Sequence, residues 1–131
     1  MNQSNFQYKN IKVDNIDFTA NPEFNSKSET IDMKNSFSIK AKPDKTGTSA
    51  LVSLTFTTNA KDFTSSQIPF YLQITISAVF SWHDLPDKKV ENLLKYNAPA
   101  LLISYLRPIV ASITNMSGFP SYNIPLLNLV D

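Results

Sequence analysis

From Ile68 to Phe80 every second position is apolar: Ile68, Phe70, Leu72, Ile74, Ile76, Ala78 and Phe80. Gln73, Thr75, Ser77 and Ser81 fill alternate positions, so a strand here buries one face and wets the other. Tyr71 and Val79 are apolar exceptions on the wet face. Residues 50–60 repeat the alternation, with Ala50, Val52, Leu54 and Phe56 opposed by Ser53, Thr55 and Thr57. Residues 31–41 do so through Ile31, Met33, Phe37, Ile39 and Ala41, with Asn35 interrupting the row. Between these runs stands Pro43-Asp44-Lys45-Thr46-Gly47, whose proline and glycine supply turn angles. Residues 31–60 are therefore predicted to form a hairpin.

The first strand is less regular. Phe6 and Tyr8 share one parity, Ile11 and Val13 the other, and Ile16 and Phe18 return to the first. Two such switches predict bulges in a long, twisted strand. Ala20 to Thr30 is polar apart from Phe24 and contains Pro22, which reads as a crossover loop.

After Pro86 the period changes. Val90, Leu93 and Leu94 predict a short helix ending before Pro99, with a second helix starting at Asn97 as N-cap. Leu101, Leu102, Ile103, Leu106, Ile109, Val110 and Ile113 then cover most of its circumference, and Gly118 ends it. A helix apolar almost all round is buried on more than one side. One four-stranded sheet covers one side, so the pattern predicts an obligate oligomer with helices sandwiched between sheets. The fold class is α+β, a single domain over residues 1–131.

Composition narrows the chemistry. The chain has no cysteine, one histidine (His83) and two glycines, Gly47 and Gly118. Disulfides, thiolate nucleophiles, multi-histidine metal sites and glycine-rich phosphate loops are excluded. His83 beside Asp84 reads as part of a turn between strand and helix, since no nucleophile accompanies it. Arg107, the sole arginine, reads as a structural ion pair or a solvated edge rather than an anion clamp. No enzyme, cofactor or metal is expected. Twelve basic against eleven acidic residues leave a net charge of +1 with no basic stripe, which disfavours nucleic acid. Met1 to Asn10 lacks the apolar run of a secretory signal. The stretch Ala98 to Ile113 is broken by Ser104, Arg107 and Pro108. The expectation is a cytoplasmic protein without membrane insertion. Phe24, Phe63, Tyr71 and Val79 would form a binding surface for unfolded chain if contiguous. On pattern alone, a binding module and a structural oligomer stand level.

The helix and tail carry a resemblance that separates them. Tyr105-Leu106-Arg107-Pro108, Gly118-Phe119-Pro120 and Ile124-Pro125-Leu126-Leu127-Asn128-Leu129 resemble, in order, stretches of the SecB export-chaperone family. Phe6-Gln7-Tyr8-Lys9-Asn10-Ile11 and Ile16-Asp17-Phe18-Thr19-Ala20 resemble its first strand and the start of its crossover loop. The resemblance implies a four-stranded antiparallel sheet with a long C-terminal helix, assembled as a homotetramer (a dimer of dimers). It also implies ATP-independent holding of unfolded client polypeptides, with delivery to the SecA motor in export members. By position it places Phe24, Ile31 and Met33 at the client groove, to which the exposed-face reading adds Tyr71. The helix face of Leu102, Tyr105, Leu106, Ile109 and Ile113 is expected at the oligomer interface.

Members that dock on SecA present acids on the sheet face, whereas the matching positions here are Asn15, Thr19 and Gln73. The sequence also stops at Asp131, where the family's last helix and motor-binding tail would begin. The expectation is thus a SecB-like holdase, dedicated to one client such as an antitoxin or serving preprotein export through SecA or another partner. The rival is a homo-oligomeric adaptor for one folded protein, without holdase activity.

Overall fold

A computed structural model of the chain describes residues 5–25, 27, 33–59, 61–119 and 122–124. The alternating runs form β1 (Phe6–Ala20), β2 (Ser36–Pro43), β3 (Ser49–Thr57) and β4 (Phe70–Trp82). They make one antiparallel sheet in the order β1-β4-β3-β2. The segment after β1 therefore joins opposite edges of the sheet, as a crossover must. Period-2 alternation puts Val52, Leu54 and Phe56 of β3, and Leu72, Ile74, Ile76, Ala78 and Phe80 of β4, on one face. That face is fully covered, and each large side chain buried there contributes about 1.5–3 kcal/mol.

The cover is a helix. It comprises α1 (Asp87–Asn92), a π-turn over Leu93–Asn97 and α2 (Ala98–Met116), a continuous run of 30 residues. Two helices with Asn97 as N-cap were the expectation, and the backbone corrects it. Asn97 has helical angles (φ −76°, ψ −42°) and its side chain makes no capping bond. Pro99 has no N–H to donate, and its ring crowds the carbonyl four residues earlier. The preceding turn widens so that Ala98 N–H donates to the Leu93 carbonyl, which lets the helix pass without ending. Gly118, in the left-handed region (φ 91°), does end it. Gly118 N–H donates to the Asn115 carbonyl and Phe119 N–H to that of Thr114, the paired bonds of a Schellman cap.

The helix is sided rather than uniformly apolar in its surroundings. Ala98, Leu102, Ile103, Leu106, Val110 and Thr114 are buried against the chain's own sheet. Leu102 and Leu106, expected at an interface between copies, are already fully covered within one chain. Their spacing of four puts both on the stripe that meets β3 and β4. The flank with Leu101, Tyr105, Ile109 and Ile113 stays partly accessible.

The parity switches of β1 are real bulges. Register shifts fall between Lys9 and Lys12 and between Val13 and Asn15, and Asn10 takes a left-handed conformation (φ 58°) that asparagine tolerates better than most residues. The β2–β3 turn is held by one carboxylate. Asp44 accepts hydrogen bonds from Thr46 Oγ1 (2.7 Å), Ser49 Oγ (2.8 Å) and the N–H of Gly47 (2.9 Å). The hydroxyls of Thr46 and Ser49, then the backbone donors, lower its pKa from 3.8 to about 2. A carboxyl whose folded pKa is depressed stabilises the fold above its unfolded pKa and loses that contribution as pH falls through the folded value. The acid sensitivity of the hairpin should therefore lie between about 4 and about 2. It should vanish in Asp44→Asn, as followed by carboxyl NMR titration and acid unfolding of both proteins.

Candidate functional site

One helix across four strands leaves both edge strands with apolar side chains beyond its reach. On the β2 side the gap is a groove of about 520 Å³ lined by Ile39, Ala41, Glu91, Leu94, Lys95 and Tyr96. Ile39 pairs with Leu54 and Ala41 with Val52, so both project to the helix side. Ile39 nevertheless stays 39 % exposed, while Leu54 is fully buried. Glu91 and Lys95 stand four apart on the helix, and Lys95 Nζ lies 5.3 Å from the Tyr96 ring centre. The groove thus has apolar walls with one acid and one base at its rim. Because β2 is an edge, alternate backbone N–H and C=O groups point away from β3.

The lower end of the β2 side is closed. Lys34 N–H donates to Asn59 Oδ1 at 2.8 Å, and Asn35 Nδ2 donates to the Tyr122 hydroxyl. Tyr122 N–H in turn donates to Thr114 Oγ1 at 2.8 Å, which folds the post-helix segment back beside the start of β2. Met33 is half-buried there against the core, as is Phe37. Met33 therefore lies toward the closed end of the side that opens at Ile39.

The other predicted client residues go elsewhere. Phe24 packs edge-on to Phe119 (6.0 Å between centroids), and Phe119 also meets Phe18 and Phe70. Asn21 fixes the loop that carries Phe24. It is buried, and its Nδ2 donates to the carbonyls of Ile68 (2.8 Å) and Ser65 (3.2 Å), while Oδ1 accepts from Glu23 N–H (3.0 Å). Tyr71 pairs with Thr19 and so lies on the face away from the helix. It is only 9 % exposed, with Lys61 Nζ above its ring at 5.4 Å. Lys61 also meets Asp17 at 2.7 Å, which raises the lysine's pKa, first by that hydrogen bond and then by charge attraction. Ile31 lies outside the described residues. Among the described residues, Phe24, Met33 and Tyr71 hence do not share one surface, and Ile39, Ala41, Leu94 and Tyr96 were not singled out for the groove. The legible signal for them was Ile39-x-Ala41 on the outer strand of a hairpin, which puts small and apolar side chains at a sheet edge.

The β1 side is a flatter strip. Tyr8, Val13 and Ile16 pair with Phe80, Ile76 and Ile74, so they face the helix side, yet each is 44–47 % exposed. Tyr105, 41 % exposed, closes the strip from the helix, with its hydroxyl 3.2 Å from that of Tyr8. That hydrogen bond raises the Tyr105 pKa above its ordinary value. Ile109 and Ile113 continue the same helix flank, half-buried. On the outer sheet face, Asn15, Thr19 and Gln73 come together, paired with Thr75, Tyr71 and Asp17. Among the described residues no cluster of His, Asp or Glu could hold a metal, and no helix is long and apolar enough to cross a membrane.

An antiparallel sheet under one long helix, with an apolar groove at a strand edge, defines an α+β scaffold with open apolar surface on either side of the helix. The family described as preprotein translocase subunit SecB matches residues 2–131, and the chain belongs to that family, whose members are non-enzymatic chaperones. The protein-export protein SecB of Ehrlichia ruminantium (strain Gardel) is 30% identical over 123 residues, covering 86% of this chain and 68% of that protein. The SecB of Dinoroseobacter shibae is 27% identical over 79 residues, 60% of this chain and 46% of its own. The chain thus aligns with between about half and two thirds of the length of these two relatives. The fold also matches the Mycobacterium tuberculosis Rv1957 SecB-like chaperone, solved in complex with a ChAD peptide from the Rv1956 HigA1 antitoxin. That match has a TM-score of 0.75 at 13% identity, over 94% of this chain and 91% of that one.

Asn21 is the point at which the crossover loop is tied to the sheet. Replacing a buried side chain that makes three hydrogen bonds removes the amide donor from the Ile68 carbonyl and unties the loop from the sheet, at about 1–3 kcal/mol. Asn21→Ala should lose that much in chemical denaturation. Amide exchange at Phe24 and Asn25 should accelerate more than in β3 or β4.

Proposed function

We propose that the chain is an ATP-independent holdase that keeps a non-native polypeptide extended along the β2 edge, with its apolar side chains in the groove beside Ile39, Leu94 and Tyr96. The observation that carries this reading is the adjacency of an open apolar groove to an edge strand. An edge strand offers main-chain hydrogen bonds to any extended sequence, and the groove selects apolar side chains without selecting their identity. Burial contributes about 25 cal/mol per Å², from which the ordering of the client is subtracted, so binding is reversible rather than tight. Neither contribution needs a nucleotide.

The client reading follows from the family and from the outer face. A SecB-like chaperone of the same fold is in complex with an antitoxin peptide. In this chain the positions expected to carry acids for SecA hold Asn15, Thr19 and Gln73, side by side on the outer sheet face. We infer a cytoplasmic chaperone dedicated to one client such as an antitoxin, with docking on SecA weakened. The accessible β1 strip supports self-association. Tyr8, Val13, Ile16 and Tyr105, extended by Ile109 and Ile113, would be covered by a second copy, and a dimer of dimers would sandwich the helices.

Aggregation of a chemically unfolded client, followed by light scattering, tests the holdase. Ile39→Asp/Leu94→Asp should abolish suppression while circular dichroism stays native, because both side chains are already partly exposed. Tight binding of one native protein with no suppression by the unaltered chain would identify an adaptor instead. Sedimentation tests assembly separately. Ile16→Lys/Tyr105→Lys should shift the particle toward monomer, and a folded monomer of the unaltered chain at micromolar concentration would refute the oligomer.

A further inference from the structure

The sheet face opposite the helix is organised in rungs that cross all four strands. Lys9, Val79, Leu51 and Lys42 form one rung, and Lys12, Ser77, Ser53 and Lys40 the next. Directly opposed residues of an antiparallel ladder project to the same face. Three strand spacings separate the lysines at either end of a rung by about 14 Å in the backbone. All four lysines are exposed. Between them Leu51 is 40 % exposed and Val79 half-buried, on a floor of serine hydroxyls. Lys9 and Lys12 are three residues apart and would face opposite ways on a regular strand. The bulge at Asn10 and Ile11 is what brings them to one face.

Few carboxylates offset this quartet. Asp14 lies 3.8 Å from Lys12. Asp44 turns its carboxylate into the hairpin turn, where Thr46, Ser49 and Gly47 engage it. Asp17 is on a more distant rung, bonded to Lys61. The patch is therefore cationic at its corners and apolar at its centre, in a chain whose net charge is only +1.

We propose that this patch docks an acidic segment of a partner protein, with an apolar side chain on Leu51 and Val79 and flanking carboxylates on Lys9, Lys12, Lys40 and Lys42. An apolar centre within a charged rim is the anatomy of a protein–protein contact. Nucleic acid would set its hydrated backbone against Leu51, and the patch has neither arginine nor an aromatic platform for bases. The site is separate from the groove, which lies on the helix side of the sheet.

Fluorescence anisotropy on the full chain tests it, with a labelled peptide of Glu and Asp residues around two leucines as probe. Saturable binding is expected, weakening as salt is raised to about 0.3 M. Lys9→Glu/Lys42→Glu should raise Kd about tenfold or more, and Lys9→Arg/Lys42→Arg should leave it near the original value. Leu51→Ser should weaken binding at all salt concentrations. The Ile39→Asp/Leu94→Asp variant should still bind the acidic peptide, so failure of the holdase reading leaves this result intact. Absence of binding, or equal binding by the Lys9→Glu/Lys42→Glu variant, overturns the proposal. Tighter, lysine-dependent binding of duplex DNA or of phosphatidylserine vesicles overturns it as well.

Discussion

The structure depends on the contact between the apolar face of β3 and β4 and one stripe of a single helix. A helix with its side chains is about 10–12 Å across, and strands are spaced about 4.8 Å apart. One helix therefore covers the two central strands and little more. Exposure follows that geometry. Leu54 and Ile76 are sealed in the centre, while Ile39 on one edge and Val13 and Ile16 on the other remain open on the same side of the sheet. These side chains sit on the core face by parity, so the sheet is built as if more cover were to come. The uncovered flanks are a direct consequence of pairing four strands with one helix.

The two flanks differ in shape, and the partners proposed for them differ accordingly. The β2 flank is short, grooved and closed at one end by Tyr122 and Asn35, which suits a single extended chain. The β1 flank runs along a 15-residue strand and meets the helix through the Tyr8–Tyr105 contact. A flat strip of that length gains most from another flat strip. In the proposed assembly, a copy on one flank leaves the groove on the other free for client.

Much of this was legible in the sequence, for physical reasons that also mark where legibility stops. Strict alternation in 50–60 and 68–80 reports burial on one face only, and it located both central strands and the hairpin. The broken alternation of β1 reported its bulges because each extra residue reverses parity. Helix continuity was not legible, since Pro99 and Asn97 look like a start signal unless the π-turn at Leu93–Asn97 is known. The apolar circumference of α2 was visible, but not which side met its own sheet, so Leu102 and Leu106 were placed at an interface. Tyr71 obeys the parity rule and faces outward, yet Lys61 from a loop covers it. The groove was least legible. Ile39 and Leu94 are far apart in sequence, and only the edge position of β2 and the widened helical turn bring them together.

The outer face shows why β1 has two bulges rather than one. On a regular strand with Phe6 and Tyr8 turned toward the helix, Lys12 and Asp14 would also point into the core side, and Ile11 and Val13 outward. A single bulge at Asn10 would correct these but would then reverse Ile16 and Phe18. The second register shift, between Val13 and Asn15, restores them. Together the bulges flip only the middle of the strand, so Val13 joins the apolar strip while Lys12 joins Lys9 on the outer face. Lys12 turned to the helix side would set its charge in the partly exposed apolar strip of Tyr8, Val13 and Ile16, and covering it there without a partner would cost several kcal/mol. A left-handed Asn10 costs far less, on the order of 1 kcal/mol. The same local irregularity thus protects the core and gathers the positive charge, and the two faces of the sheet are segregated by it.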